Sequence, residues 1–386
     1  MNKLLRKIVL AFISLLIALS ILFIYYKYAI KNIENNYSSE IMHLYSNETR
    51  DKGLRILEQG LENNDILLLG SSDLRIKVEQ NPINLFPNNT SNKNIIISGK
   101  PRVQSLLNLI KLGALDVNKD SNIGIIVSLQ WFMRSKVEKA SFNSNFSELQ
   151  FYEFMENKNI SNDLKDKVAN RVFSLTNNVA NHNATVYTQL DTSHKIFQKT
   201  FRPFFNFQKW FLDLQDTYKS SFLLDRYKNK NQAIKNELSW QELDELAESQ
   251  GEKSVTNNDM FVEDQYYVKE LQPNLKDLKN KYEGINLLKS DEFNDLELLL
   301  ELCTELGVKP FVIIESTNGY FYDYAGINKE QRDSYYDKTR QLVEKYGFNY
   351  IDLRDFEYDK YFYFDAMHLG WKGWLYVSKE MSEYFK

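Results

Sequence analysis

The chain has 386 residues with 48 basic and 52 acidic side chains, and its composition is 43% hydrophobic and 14% aromatic. That near-neutral balance offers no footprint for a nucleic-acid partner, and the length suits one large globular domain or two ordinary ones. A single cysteine, Cys303, excludes an internal disulfide and a cysteine-built metal cluster; His43, His182, His194 and His368 lack paired spacing, so no metal is expected, and no Walker-type loop calls for a nucleotide cofactor.

The run Ile8 to Tyr26 holds 19 residues without a charge, enough to cross a hydrocarbon core of ~30 Å. Lys3, Arg6 and Lys7 before it favour a cytoplasmic N-terminus, although Lys27 and Lys31 weaken the asymmetry. A cleaved signal peptide would carry a small-residue exit site, and Ala18-Leu19-Ser20, the one candidate, lies inside the apolar run. A retained anchor over residues 1–31 is therefore expected, with Tyr25, Tyr26 and Tyr28 in the outer interface belt and the rest of the chain outside the cell, where there is no ATP. Residues 32–64 place Ile41, Leu44, Leu54, Leu57 and Leu61 at helical spacing, a membrane-proximal segment without a Pro/Gly/Ser linker.

A domain over 65–386 follows. Ile66 to Leu69 reads as a buried strand that stops at Gly70-Ser71-Ser72-Asp73-Leu74. A glycine at the end of a parallel strand lifts the next side chains to the edge where α/β proteins hold their chemistry. A serine there is a candidate nucleophile if a base reaches it; otherwise the stretch is a strand-to-helix turn with Ser72 or Asp73 as N-cap. After a polar loop, Asn81 to Asn94, a second strand, Ile95 to Ile97, ends in Ser98-Gly99. An amphipathic helix over Gln104 to Leu115 leads to a third strand, Ile123 to Leu129, which runs into Gln130-Trp131-Phe132. Such alternation means βαβ units on a parallel sheet.

Residues 142–299 read as a charged helical insertion. Its aromatic cluster, Phe201, Phe204, Phe205, Phe207, Trp210 and Phe211, is either the core of that insertion or a docking face of a membrane-tethered protein. A helix over Leu296 to Leu306 closed by Gly307 precedes a fourth strand, Pro310 to Ile314, and then Glu315-Ser316-Thr317-Asn318-Gly319. A helix from Lys329 to Tyr346 and a fifth strand, Asn349 to Leu353, complete a single α/β domain with a central parallel sheet and one large excursion.

The stretch Tyr361 to Trp374 reads YFYFDAMHLGWKGW. Asp365, three residues before His368, can accept from the imidazole Nδ1–H and leave Nε2 as a base. A glycine-serine turn after the first strand joined to a late Asp-x-x-His resembles the SGNH (GDSL) hydrolase class, which implies a three-layer α/β fold. The resemblance puts the nucleophile on Ser72, with Ser71 where that class carries aspartate. It draws the oxyanion hole from the Ser72 backbone N–H, Gly99 and Gln130, a glutamine where asparagine is usual.

Gly70-Ser71-Ser72-Asp73-Leu74, Ser128 to Phe132, Asn145-Phe146-Ser147, Tyr322 to Gly326 and Asp365-x-x-His368-Leu-Gly-Trp-Lys-Gly-Trp374 are together similar to the DltD family over essentially the whole chain. Asp73 stands where that family has glutamate, and Leu129 where it often has proline. The resemblance implies D-alanyl esterification of lipoteichoic acid outside the Gram-positive cell. It also implies a membrane-bound acyltransferase and a small acyl-carrying membrane peptide as partners. Three outcomes stay open at this point: acyl transfer through the serine, ester or thioester hydrolysis by the same machinery, or a non-catalytic scaffold. Asp73, Trp131 and Trp371 are expected near substrate. Asp73 either reads the D-alanyl ammonium or caps a helix, and Trp371 and Trp374 either pack around His368 or stack on substrate. Cys303 is expected to be buried and inert, and His182 and His194 to lie on the surface.

Overall fold

The computed structural model describes residues 3–37, 47–176, 187, 195–227 and 236–386. Five strands form its centre: β1 Ile66–Leu69, β2 Ile95–Ser98, β3 Ile123–Ser128, β4 Phe311–Glu315 and β5 Asn349–Asp352. They pair in the order β2-β1-β3-β4-β5, and every pairing is parallel. Each residue of β1 to β4 is buried, which is why these strands read as unbroken apolar runs instead of alternating ones. Edge strand β5 is only partly covered. The order reverses between β1 and β3, so the carboxyl ends of those two strands flank the switch point at which open α/β sheets place their sites.

Among the described residues, ten helices have eight or more residues: α1 Lys3–Asn36, α2 Arg55–Glu62, α3 Ser105–Ala114, α4 Glu148–Glu156, α5 Asn162–Thr176, α6 Lys195–Tyr227, α7 Trp240–Ser254, α8 Glu292–Glu305, α9 Lys329–Lys345 and α10 Trp371–Tyr384. One set packs α3 against α4 and α8, with α8 also touching α5 and α9; a second packs α10 against α7 and the turn Pro82–Leu85. Among the described residues no strand of the sheet lies between β3 and β4, and α4 to α8 fill that interval. Cys303 on α8 is fully buried, and burial pushes its thiol up to about 12, so it packs as a small hydrophobe.

α1 runs beyond the apolar stretch at both ends. Its apolar window is wholly uncovered by protein, and it is long enough to serve as a single-pass membrane anchor. Near its C-terminal end Ala29, Asn32 and Ile33 are buried, and the Asn32 amide donates to Ser221 O at 3.1 Å and Asp225 Oδ1 at 3.1 Å on α6. The anchor therefore enters the domain as one unbroken helix. Leu54 and Leu57 join the core, whereas Ile41, Leu44, His43, His182 and His194 fall outside the described residues. The aromatic cluster of α6 departs from a core assignment. Phe205 is buried, but Phe204, Phe207, Trp210 and Phe211 are exposed.

Candidate active site

β1 delivers Ser72 to the switch point. The chain turns at Gly70 and continues as a short 3-10 turn, Ser72–Arg75, with Leu74 fully buried beneath it. Gly99, at the end of β2, lies hard against this turn: a Cβ there would sit 2.8 Å from the Gly70 carbonyl and from Ser71 O. Only glycine lets the two strand ends approach so closely. Ser71 is buried, and its hydroxyl donates to Lys100 O at 3.2 Å, so Ser72 alone of the pair stays partly exposed.

The base arrives from the other end of the chain. A bridge between Tyr363 and Leu369 ties off a tight loop, with the Phe364 N–H donating to His368 O at 2.9 Å and the Gly370 N–H to Phe362 O at 2.7 Å. Within that loop Asp365 Oδ1 accepts from the backbone N–H groups of Met367 at 2.8 Å and His368 at 2.9 Å. Asp365 Oδ2 lies 2.7 Å from His368 Nδ1, and His368 Nε2 lies 2.9 Å from Ser72 Oγ. The carboxylate fixes one ring nitrogen as the donor and leaves the other facing the hydroxyl, the geometry of a serine–histidine–aspartate relay.

Electrostatics follow from burial and pairing. Burial alone would raise the Asp365 carboxyl. The His368 charge, its ring N–H and the two backbone donors outweigh that and hold it below the usual range. Burial alone would lower His368; the Asp365 carboxylate, its hydrogen bond and the more distant Asp73 reverse this and hold the imidazole above its ordinary value.

Beneath the turn sits a carboxyl pair that the sequence did not announce. Glu315, the last residue of β4, stands opposite Ser128 in the sheet register and is fully buried. Burial first, and then the charge of the neighbouring Asp73, push its carboxyl far above the carboxylate range, so it is held neutral. The only signal was a glutamate closing a four-residue apolar strand.

The expected substrate contacts separate here. Asp73 is fully buried; it accepts from the Ser71 N–H at 3.3 Å and from Gln130 Nε2 at 3.2 Å. It is thus turned into the protein and is not presented to an ammonium group. Nor does it cap a helix, since the turn begins after Ser71 and Asp73 bonds back to Ser71 from within it. Gln130 spends its second amide hydrogen on Ser128 Oγ at 3.2 Å, so its donors point at Asp73 and β3, not toward Ser72. Trp131 and Trp371 are each 5% exposed. The Trp131 carbonyl accepts from Gln104 at 3.1 Å and the Trp371 ring packs on Phe364 at 5.6 Å, so both brace loops and neither forms an open stacking platform. Trp374, fully buried, packs likewise.

The family model for the DltD protein matches residues 44–386, a span that takes in Ser72, Gly99, Gln130, Asp365 and His368. The chain belongs to the DltD family. A protein named DltD from Bacillus subtilis (strain 168) is 31% identical over 345 residues, covering 88% of this chain and 87% of the relative. The DltD of Staphylococcus aureus (strain NCTC 8325) is 28% identical over 340 residues, covering 87% and 85%. That of Lacticaseibacillus rhamnosus is 23% identical over 349 residues, covering 87% and 81%. The DltD match begins at residue 44, after the apolar helix, so the anchor is read from α1 itself.

Proposed function

We propose that this DltD-family chain is a membrane-anchored serine acyltransferase that works outside the cell and moves D-alanyl groups onto teichoic acid, lipoteichoic acid in particular. The observation that carries the reading is the unbroken contact from Asp365 through His368 to Ser72, at 2.7 and 2.9 Å, at the switch point of the sheet.

The chemistry balances within those residues. Ser72 Oγ attacks the carbonyl carbon of a D-alanyl ester or thioester while His368 Nε2 takes the hydroxyl proton. The oxyanion that forms is assigned to backbone N–H groups at Ser72 and Gly99, a reading supported by the close approach of Gly99 to the Gly70–Ser71 turn. Gln130 joins them only by exchanging its bond to Asp73. The imidazolium then protonates the leaving group, and a D-alanyl ester remains on Ser72. A polyol hydroxyl of the teichoic chain attacks that ester, its proton passes to His368, and the histidine returns it to Ser72 Oγ. In the first half the donor's ester or thioester bond breaks as the Ser72 ester forms, and in the second the Ser72 ester breaks as the polyol ester forms, so no ATP is required.

The family resemblance points to a membrane-bound acyltransferase and a small acyl-carrying membrane peptide as partners, and the basic residues Lys3, Arg6 and Lys7 favour a cytoplasmic N-terminus with the domain on the far side. A serine-directed phosphonate tests the site on the purified full-length protein in detergent. Mass mapping should place the adduct on Ser72, with labelling lost in Ser72→Ala and strongly slowed in His368→Gln. An unlabelled wild-type serine, or equal labelling of the His368→Gln protein, would remove the acyl-enzyme from the account.

A further inference from the structure

α6 has its amphipathicity turned outward. On the side that faces the protein, the Lys209 ammonium bridges Glu153 and Glu156 of α4, Asp213 receives the Arg55 guanidinium at 2.5 Å, and Asp216 accepts the backbone N–H groups of Leu54 and Arg55 at 2.8 and 3.1 Å. The opposite side carries Phe204, Phe207, Phe211 and Phe222, which follow one another at helical spacing, with Trp210 beside them. These rings are 53%, 62%, 46%, 65% and 50% exposed. Five half-open aromatics leave on the order of 500 Å² of apolar surface uncovered, the size of the largest patch on a soluble monomer, which often serves a function.

What covers that surface is indicated by where α6 meets the anchor. Tyr218, on the aromatic side of α6, donates its hydroxyl to Leu22 O of α1 at 2.9 Å and packs on the Tyr25 ring at 4.9 Å. Leu22 and Tyr25 lie in the last turns of the uncharged run that spans the bilayer, so the aromatic face of α6 is continuous with the lipid-facing anchor at the membrane boundary. Cations border the same face: Lys219 is exposed, and the Arg226 guanidinium lies 6.0 Å from the Phe222 ring. Aromatic rings fringed by Arg and Lys are the composition of a helix lying at a lipid headgroup boundary.

We propose that α6 is a second membrane contact, inserting Phe204, Phe207, Trp210, Phe211 and Phe222 into the bilayer that α1 spans and so fixing how the domain sits on it. A single helix passing into a domain leaves tilt and rotation about the anchor free; a second contact beside it removes that freedom.

Trp210 is the reporter. Among the other four tryptophans, Trp131, Trp371 and Trp374 are buried and Trp240 is half-buried. The full-length chain is reconstituted through its anchor into phosphatidylcholine–phosphatidylglycerol vesicles with and without brominated acyl chains. The wild-type emission should be quenched by the brominated lipid, and most of that quenching should disappear in Trp210→Phe. A second variant, Phe204→Ser with Phe207→Ser and Phe211→Ser, should lose the Trp210 quenching while its circular-dichroism melt is unchanged. Emission from Trp210 that ignores brominated lipid and yields to aqueous iodide overturns the proposal. Shielding from both quenchers only when an integral membrane partner is reconstituted alongside would assign the face to protein and overturn it equally.

Discussion

At the scale of single residues the site depends on how two buried carboxyls are managed. Asp365 holds His368 above the ordinary imidazole range, so the basic form that accepts the Ser72 proton appears only as pH rises through that raised value. The rising limb of kcat/KM for D-alanyl ester turnover should therefore lie alkaline of ~6.5. Asp365→Asn removes the charge; the limb should move toward lower pH while the rate falls by roughly 10²-fold or more. A limb that stays where it was would mean that another group sets it.

Glu315 makes the opposite kind of prediction, one about stability. Its folded pKa is raised by burial and by Asp73, so the neutral form costs nothing below the unfolded value of ~4.3, and a penalty accumulates as pH climbs from there toward the folded value. Glu315→Gln keeps shape and neutrality without that proton. Denaturant unfolding should show the variant and wild type alike near pH 4, with the variant gaining on the order of 1 kcal/mol per pH unit above it. Equal stability of the two proteins across pH 4 to 7 would place the Glu315 proton elsewhere. Sequence made the Asp365–His368 pair legible because both residues lie on one tight loop. The Glu315–Asp73–Gln130 group was not legible, since it is assembled only by the parallel register that sets Glu315 opposite Ser128.

At the scale of elements, strand ends do the positioning. β1 to β4 were readable because double-sided burial forces continuous apolar runs, and the glycines after β1 and β2 marked where they stop. Gly99 carries a sharper consequence. In Gly99→Ala the added methyl meets backbone atoms 2.8 Å away that no rotamer change can move, so the Gly70–Ser71 turn must shift. A stability loss of about 1–3 kcal/mol is expected from such overpacking, with Ser72 phosphonate labelling falling far more than the folded fraction. Labelling that declines only in step with folding would show that the strand-end contact matters to the fold and not to the site. Other couplings leave no trace in local pattern. Arg332 on α9, fully buried, forks onto Glu357 at 2.8 and 2.9 Å and so tethers the approach to the Asp365 loop. As a sequence the same arginine reads as one more charge on a polar helix.

At the scale of the whole molecule, the anchor and α6 are one assembly, joined by Asn32 to Ser221 and Asp225 and by Tyr218 to Leu22. The dense run of aromatics over Phe201 to Phe211 was visible in the sequence and favoured the core of the insertion over a docking face, because such rings are usually buried. Packing of its polar side against α4 and the start of α2 leaves the aromatic side uncovered instead. The result is a domain whose sheet presents Ser72 at one edge and whose anchor and aromatic helix share another surface. That arrangement suits a reaction in which the acyl donor and the growing polymer both belong to the membrane.

The central claim is that Ser72 performs chemistry on D-alanyl esters. Its most direct test replaces Ser72 with alanine in the native cell and measures alkali-labile D-alanine on purified lipoteichoic acid, with protein level and membrane anchoring checked in parallel. The account predicts loss of the ester at a normal level of anchored protein. Undiminished D-alanine would contradict it, leaving the serine–histidine–aspartate contact without a chemical role and the chain as a positioning partner for another enzyme.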